Sequence, residues 1–417
     1  MRRARSRLIL VLLALLLLLP TTGCWNSREP KNLAIVMALG IDKGTAEEPY
    51  RVSFQVANSG VVASNTNNNS AAVPITMFAS NGVSIFEAIR KTAEKVPRQL
   101  FFAHIRLIMI GETMARSGIS ELFDFFERSR ETRMTSLVLI SRGSTAESVL
   151  QTLTPLEKLP ANAFVGKIKF SSKLWGENLT TAANDVVRML VSNNRTLLIS
   201  GVKRYGPALE AEQKANVEKT NSYSLIAMNK IGVFRDGKLV EWLDGPRARG
   251  TLWALNKIHS TVMNVPATTS GSEEKAVTIE VMGARSKVIP LLADGKPSFR
   301  VEITAEGSVS ELRAPVDLSQ PKAIVRLEQS WSQAIREEVL QAVTHAQESG
   351  LDYIQLNESF KRKFPKAWRR VQSNWTQLFA DSPVQVTVHT YIRHQGMRNQ
   401  SYLQKMNQNA KQQQNEQ

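Results

Sequence analysis

The apolar positions of this chain change period repeatedly, and each change predicts an element. LAIVMALGID (33–42) and YRVSFQVANS (50–59) read as two β-rich runs joined by a turn holding Asp42, Lys43 and Gly44. In the second run Val52, Phe54 and Val56 alternate with Arg51, Ser53 and Gln55, the period of a strand with one apolar face. The Asn/Ser/Ala-rich stretch that follows, GVVASNTNNNSAAVP, has the composition of a loop. SIFEAIRKTAEKV (84–96) then takes a helical period, with Ser84 and Glu87 in capping-box positions. HIRLIMIGE (104–112) and TSLVLIS (135–141) read as buried strands, and SGISELFDFFERSRE (117–131) and STAESVLQTL (144–153) as helices. Such alternation predicts an α/β or α+β layer.

Farther along, TTAANDVVRMLV (180–191) predicts a helix and RTLLISGVKRY (195–205) a strand. KIGVFRDGKLVEWL reads as a hairpin, because Asp236-Gly237 between two β-rich arms supplies the turn. ARGTLWALNKI follows as a helix after the Asp244-Gly245-Pro246 turn. Two strands joined through Ala293-Asp294-Gly295 lead to an amphipathic helix over 327–349, whose apolar side runs Leu327, Trp331, Ile335, Val339, Ala342, Val343, Ala346. A second helical run carries Leu356, Phe360, Phe364, Trp368, Val371, Trp375 and Leu378, with a new helix expected to start at Pro365. VQVTVHTYI (384–392) alternates as a final strand. The expected class is α+β, with three mixed domains, each a sheet with packed helices: 24–200, a small middle domain over 201–267 built on the hairpin and its helix, and 274–396. The Gln/Asn-rich tail 397–417 has no core pattern and is expected to be disordered.

The first residues change the picture. MRRARSR carries four arginines, a twelve-residue apolar run spans Leu8 to Leu19, and PTTG precedes Cys24, the single cysteine of the chain. A basic start, an apolar run of this length and small residues at its end describe a secretory signal peptide over 1–23. Twelve helical residues cover only about 18 Å, short of the ~30 Å hydrocarbon core of a bilayer. Gly23 directly before Cys24 fits the signal of a bacterial lipoprotein, whereas Thr21 departs from the more usual leucine. Cys24 is therefore the expected lipidation site, carrying S-diacylglycerol and an N-acyl group, with an intermolecular disulfide or a free thiol as the other readings.

Removing the signal lowers the formal charge from +16 to +12, still strongly basic. An exported chain does not meet genomic DNA, and no nucleic-acid motif accompanies the charge, so anionic lipid, wall polymer or an acidic partner are the available counterparts. The charge concentrates in FKRKFPKAWRRVQSNW, where Lys361, Arg362, Lys363, Lys366, Arg369 and Arg370 lie off the aromatic stripe and form a candidate contact surface for anionic lipid or an acidic protein face.

Catalytic chemistry finds no foothold in the pattern. The five histidines, His104, His259, His345, His389 and His394, show no ligand spacing, and His345, near a helix end, is expected in solvent. Glu47-Glu48, Glu273-Glu274 and Glu337-Glu338 are adjacent pairs that point apart. A phosphate-binding glycine loop and a G-x-S-x-G elbow are both missing from the sequence. No catalytic residue, metal or cofactor is expected.

Several blocks together resemble the Ger(x)C family, the C-subunit lipoproteins of the nutrient germinant receptors of bacterial endospores. They are Gly23-Cys24-Trp25 with Arg28-Glu29 and LAIVMALGIDKG, HIRLIMIGE with ISELFDFFERSRETRM, GVFRDGKLVEWLDGPRARGTLWALNK with its Arg249-Gly250 step, and FKRKFPKAWRRVQSNWTQLF. The resemblance spans about residues 23 to 396. It implies a three-domain α+β protein without catalysis, held by lipid on the outer face of the spore inner membrane beside two integral-membrane subunits of A and B type. The competing expectation is a solute-binding lipoprotein that delivers a small nutrient to a membrane permease.

Overall fold

The computed structural model describes residues 29–63, 73–129, 131–192, 196–267, 276–313 and 316–394. The expected signal peptide, Cys24 and the tail 397–417 lie outside the described residues.

Two sheets organise the chain. The first has nine strands: β1 (Leu33–Lys43), β2 (Tyr50–Ala57), β3 (Ile75–Gly82), β4 (Gln99–Phe101), β5 (Leu107–Gly111), β6 (Leu137–Ser141), β7 (Leu197–Tyr205), β8 (Leu225–Arg235) and β9 (Lys238–Leu243). Their order is β3-β2-β1-β5-β6-β7-β8-β9, with β4 beside the start of β1. The centre, β1-β5-β6-β7, is parallel and the two flanks are antiparallel. Parallel strands are covered on both faces, which is why β5 and β6 read as unbroken apolar runs. Ile108, Ile110, Val138 and Ile140 face the helices Ile85–Lys91, Ser120–Arg128 and Ala183–Leu190. Leu107, Met109 and Leu139 face Ala146–Leu150 and Pro160–Leu174 on the other side. A register shift between Val36 and Ala38 lets Val36 and Ile41, of opposite parity, share one core.

The second sheet is β10 (Thr261–Pro266), β11 (Ala276–Ala293), β12 (Lys296–Leu312) and β13 (Val384–His394), in that order, with β13 parallel to β12. The helix Pro321–Ser349 covers it, and every apolar residue predicted for its inner side is buried. Its proline sits at the first turn and it stops at Gly350, in the left-handed region at φ 63°. One core joins Ile231, Val233 and Leu243 of the first sheet, the helix Gly245–Ala254, the second sheet and the long helix.

The Asp236-Gly237 hairpin forms as read, with φ 50° and 73° at the turn, and it hydrogen-bonds to β7 as an extension of the first sheet. Residue 201, where a separate middle domain was expected to open, lies inside β7, and the remaining strand of that stretch, β10, belongs to the second sheet. Backbone pairing thus divides 201–267 between the two sheets. The helix expected over 117–131 forms as Ser120–Arg128, and a separate short helix, Glu112–Ser117, precedes it and ends at Gly118, φ 134°. At Ser84 the side chain accepts from the Glu87 N–H at 3.2 Å, and the Glu87 carboxylate reaches back to the Val83 N–H at 2.9 Å.

Candidate functional site

The basic segment is built outward from a buried carboxylate. After Gly350 the chain turns into the core, and Asp352 accepts the Leu356 N–H at 2.9 Å, the Asn357 N–H at 2.8 Å and the Trp375 indole N–H at 3.1 Å. Burial pushes its carboxyl up to about 6, against the pull of those hydrogen bonds. Held at its first turn, the helix Leu356–Lys363 ends at Phe364, and Pro365 opens the next, Pro365–Val371, as expected. The third, Trp375–Asp381, returns Trp375 to the centre. Phe360 packs against Phe364 at 5.4 Å and Trp375 at 5.8 Å, Trp368 meets Trp375 edge-on at 5.2 Å, and Phe299 of β12 closes the group. The aromatic stripe is core.

Helical period therefore sends the cations outward. Lys361, Arg362, Lys363, Lys366, Arg369 and Arg370 are all exposed, and from Ser359 to Ala380 the chain carries six basic residues and no acid. Three of the six lie on the helix Leu356–Lys363 and three on Pro365–Val371; Cys24 is outside the described residues. Lys363 Nζ donates to the Pro290 carbonyl of β11 at 3.0 Å, tying the basic run to the second sheet.

Two polar clusters escaped the sequence reading. Arg249, on the helix Gly245–Ala254, donates through Nε to Glu338 Oε2 at 2.9 Å, and the Trp253 indole donates to the same oxygen at 3.3 Å. Glu177 stands 3.6 Å from Arg249. Burial opposes the guanidinium charge, and the Glu338 carboxylate more than restores it, so the Arg249 pKa is raised. A signal was present: Glu338 lies three residues past Ile335 and four before Ala342, on the buried stripe. The second cluster corrects the placement of His345. It is half-buried, its Nδ1 3.0 Å from the Tyr353 hydroxyl and its Nε2 3.7 Å from Glu241, because the chain reverses at Gly350 and folds Tyr353 back over the helix end. His104, His259 and His389 are exposed.

An apolar cleft of about 560 Å³ opens beside β4, lined by Phe86, Ile89, Leu100 and Phe125 with Arg90, Arg98 and Arg128. Elsewhere Phe170, Leu174 and Trp175 are at least half exposed at the end of the helix Pro160–Leu174, next to Lys167, Lys169 and Lys173. Among the described residues no group of three or more His, Cys, Asp or Glu is placed to hold a metal, and no helix is long and apolar enough to cross a membrane.

Two family models cover most of the chain. Residues 26–204 match a model described as spore germination protein N-terminal domain, and residues 229–396 match one described as spore germination B3/GerAC like, C-terminal. The chain belongs to the GerAC family of spore germination proteins. Among its GerAC relatives, spore germination protein KC of Bacillus subtilis (strain 168) is 29% identical over 396 residues, covering 94% of this chain and 96% of that one. Spore germination protein B3 of the same organism is 23% identical over 381 residues, covering 88% and 92%. A crystal structure of the GerBC protein superposes with a TM-score of 0.53 at 18% identity, over 85% of this chain and 96% of that one, and shares its mixed α+β fold. The first match ends within β7 and the second begins within β8, so the boundary between them falls inside the first sheet.

Proposed function

We propose that this GerAC-family chain is a lipid-anchored, non-catalytic subunit of a nutrient germinant receptor. In this reading Cys24 carries the lipid, the protein sits on the outer face of the spore inner membrane, and its partners are the integral-membrane A- and B-type subunits. The observation that carries it is the match of both halves to spore germination families, with relatives aligned over nearly their whole length. The amino-terminal pattern supports the anchor: a basic start, a short apolar run and Gly23 before the single cysteine. Two acyl chains at about 0.8 kcal/mol per buried methylene are enough for stable attachment. Lys361, Arg362, Lys363, Lys366, Arg369 and Arg370 provide a basic contact surface, and exposed Phe170, Leu174 and Trp175 an apolar one for a membrane subunit. The test is dipicolinate release from nutrient-treated spores of a deletion strain complemented with wild type or Cys24→Ala. Loss of one nutrient response that the alanine variant fails to restore is the expected result. Germination at wild-type rate with every nutrient, in a strain also lacking paralogous genes, rejects the reading.

The apolar cleft, with Arg90, Arg98, Arg128 and Glu131 in its wall, favours a second reading, a solute-binding lipoprotein that hands a small nutrient to a membrane permease. Calorimetry of the mature chain with amino acids and sugars separates the two, since only the second expects saturable heat.

A further inference from the structure

The second sheet carries a ribbon that the basic helices alone do not explain. β10 pairs with β11 only up to Val281, and β13 first meets β12 at Phe299. From Leu291 to Ser298 the hairpin is therefore a two-stranded ribbon with no strand on either edge, closed by Asp294-Gly295 at φ 51° and 76°. Successive strand residues face opposite sides. Leu291 and Leu292 are nonetheless both exposed, at 39% and 37%, as are the residues from 293 to 296, whereas Pro297, across from Leu292, is buried, so the end of the ribbon projects while its base rests on the body.

Cations surround it. Arg285, Lys287, Lys296 and Arg300 lie along the hairpin with two acids, Asp294 at the turn and Glu302, which is opposite Lys287 and 3.8 Å from Arg300. The hydrogen bond from Lys363 to Pro290 fixes the acid-free basic run at the base of the ribbon. There Lys287, Arg362 and Lys363 line a depression of about 700 Å³, with Glu358 also in its wall. A single exposed leucine needs no explanation, and a basic face alone is an ordinary solvated surface. An apolar tip ringed by lysine and arginine is the composition that enters a lipid headgroup layer, with apolar groups at the acyl boundary and cations at the phosphates. An acidic protein would account for the cations and leave the paired leucines without a role.

We infer that this end of the second sheet docks on an anionic bilayer, the Leu291-Leu292 tip entering the headgroup layer while Lys361, Arg362, Lys363 and Lys366 contact lipid phosphates. The inference rests on the membrane-seated reading above for its setting and adds a second attachment, independent of Cys24. It orients the protein: a tether at one point permits swivelling, and a docked ribbon fixes which face meets the membrane subunits.

The mature chain carrying Cys24→Ser, which has no acyl group, is sedimented with phosphatidylglycerol-rich and with phosphatidylcholine vesicles. Binding to the first only, weakening with salt, is expected. Leu291→Ser with Leu292→Ser lowers the partition about tenfold, and Lys361→Glu with Lys366→Glu and Arg370→Glu lowers it about a hundredfold. Unaltered melting curves establish that both variants fold; should the leucine pair unfold, the single changes Leu291→Asn and Leu292→Asn replace it. Failure of the Cys24→Ser chain to bind phosphatidylglycerol overturns the inference. So does binding that charge reversal removes and the leucine change leaves intact, which reduces the contact to surface electrostatics and leaves the ribbon tip without a part in it. Neither outcome touches the spore assay of Cys24→Ala, so the anchor and the ribbon stand or fall separately.

Discussion

Gly250 makes the sharpest prediction, because local propensity and packing give it opposite signs. It lies mid-helix in Gly245–Ala254, where Ala is favoured over Gly by about 1 kcal/mol. A Cβ placed there, however, would stand 2.0 Å from the Glu338 carbonyl oxygen, 2.6 Å from its carbon and 3.1 Å from the Ala342 Cβ. A carbon–oxygen contact needs about 3.3 Å. The opposing atoms are backbone of the long helix and cannot rotate aside, so the two helices must part. Overpacking of this kind costs about 1–3 kcal/mol. The parting also draws Arg249 away from Glu338, a buried pair whose rupture costs about 3–5 kcal/mol when complete. With partial loosening of that pair and the gain in propensity subtracted, Gly250→Ala should destabilise by about 3 kcal/mol, a large fraction of a typical 5–15 kcal/mol total. Urea unfolding of the mature Cys24→Ser chain, followed by tryptophan fluorescence, measures it as a lowered midpoint at constant slope. A midpoint unchanged or raised refutes the close helix crossing and the account of the Arg249-Gly250 step with it.

Three further outcomes are expected. Glu338→Gln leaves the Arg249 guanidinium buried with only Glu177, 3.6 Å away, and should cost about 3 kcal/mol, whereas the paired change to Arg249→Met and Glu338→Met should cost much less; urea midpoints compare them. Asp352 titrates at about 6 in the folded chain against an ordinary 3.8, so the folded state holds this proton more tightly than the unfolded chain does. Its contribution is complete below the unfolded value and is lost as pH rises through the folded one; relative to Asp352→Asn, the wild type should lose stability between about pH 4 and pH 6, and a pH-independent difference contradicts the assignment. Asp42, which burial pushes above its ordinary range, accepts the Ala146 N–H at 2.7 Å and the Glu147 N–H at 3.0 Å; Asp42→Ala strips both donors of their partner and should cost about 2 kcal/mol by thermal unfolding.

What the sequence revealed depended on whether a residue's role was set locally. The Asp236-Gly237 turn, the Ser84 cap, the restart at Pro365 and the buried stripe of the long helix are decided within a few residues, and each was legible. The helix Pro160–Leu174 was not: its buried side uses Ala161, Ala163, Phe164, Val165 and Ile168, Gly166 interrupts it, and Phe170 and Leu174 stay exposed, so no clean stripe appears. β3 was missed because, as an edge strand, it buries only Ile75, Ser80 and Gly82. β10 is short, ends at Pro266 and owes its place to β11 across the stretch 268–275. In the candidate site the six cations and the hairpin turn at Asp294-Gly295 were legible, whereas the burial of Asp352 and the projection of the ribbon were not. The burial of one and the projection of the other follow from where distant strands begin and end.

The same segment supplies a core and a surface, and the two respond differently to substitution. Trp375 packs against Phe299, Phe360, Trp368 and Phe379 and donates to Asp352, so it secures both the aromatic group and the cap of the basic helix. Trp375→Ala removes a buried ring and one donor to a buried carboxyl, and should cost about 3–5 kcal/mol. Charge reversal at Lys361, Lys366 and Arg370 touches exposed side chains and should change stability by less than about 0.5 kcal/mol per site. If the basic face works because the aromatic core holds it rigid, Trp375→Ala should also weaken vesicle binding at temperatures where the chain is still folded by circular dichroism, although no cation has been removed. Vesicle binding that survives Trp375→Ala unchanged means that the cations act as a diffuse charge cloud. In that case the three helices serve only to bury their aromatics.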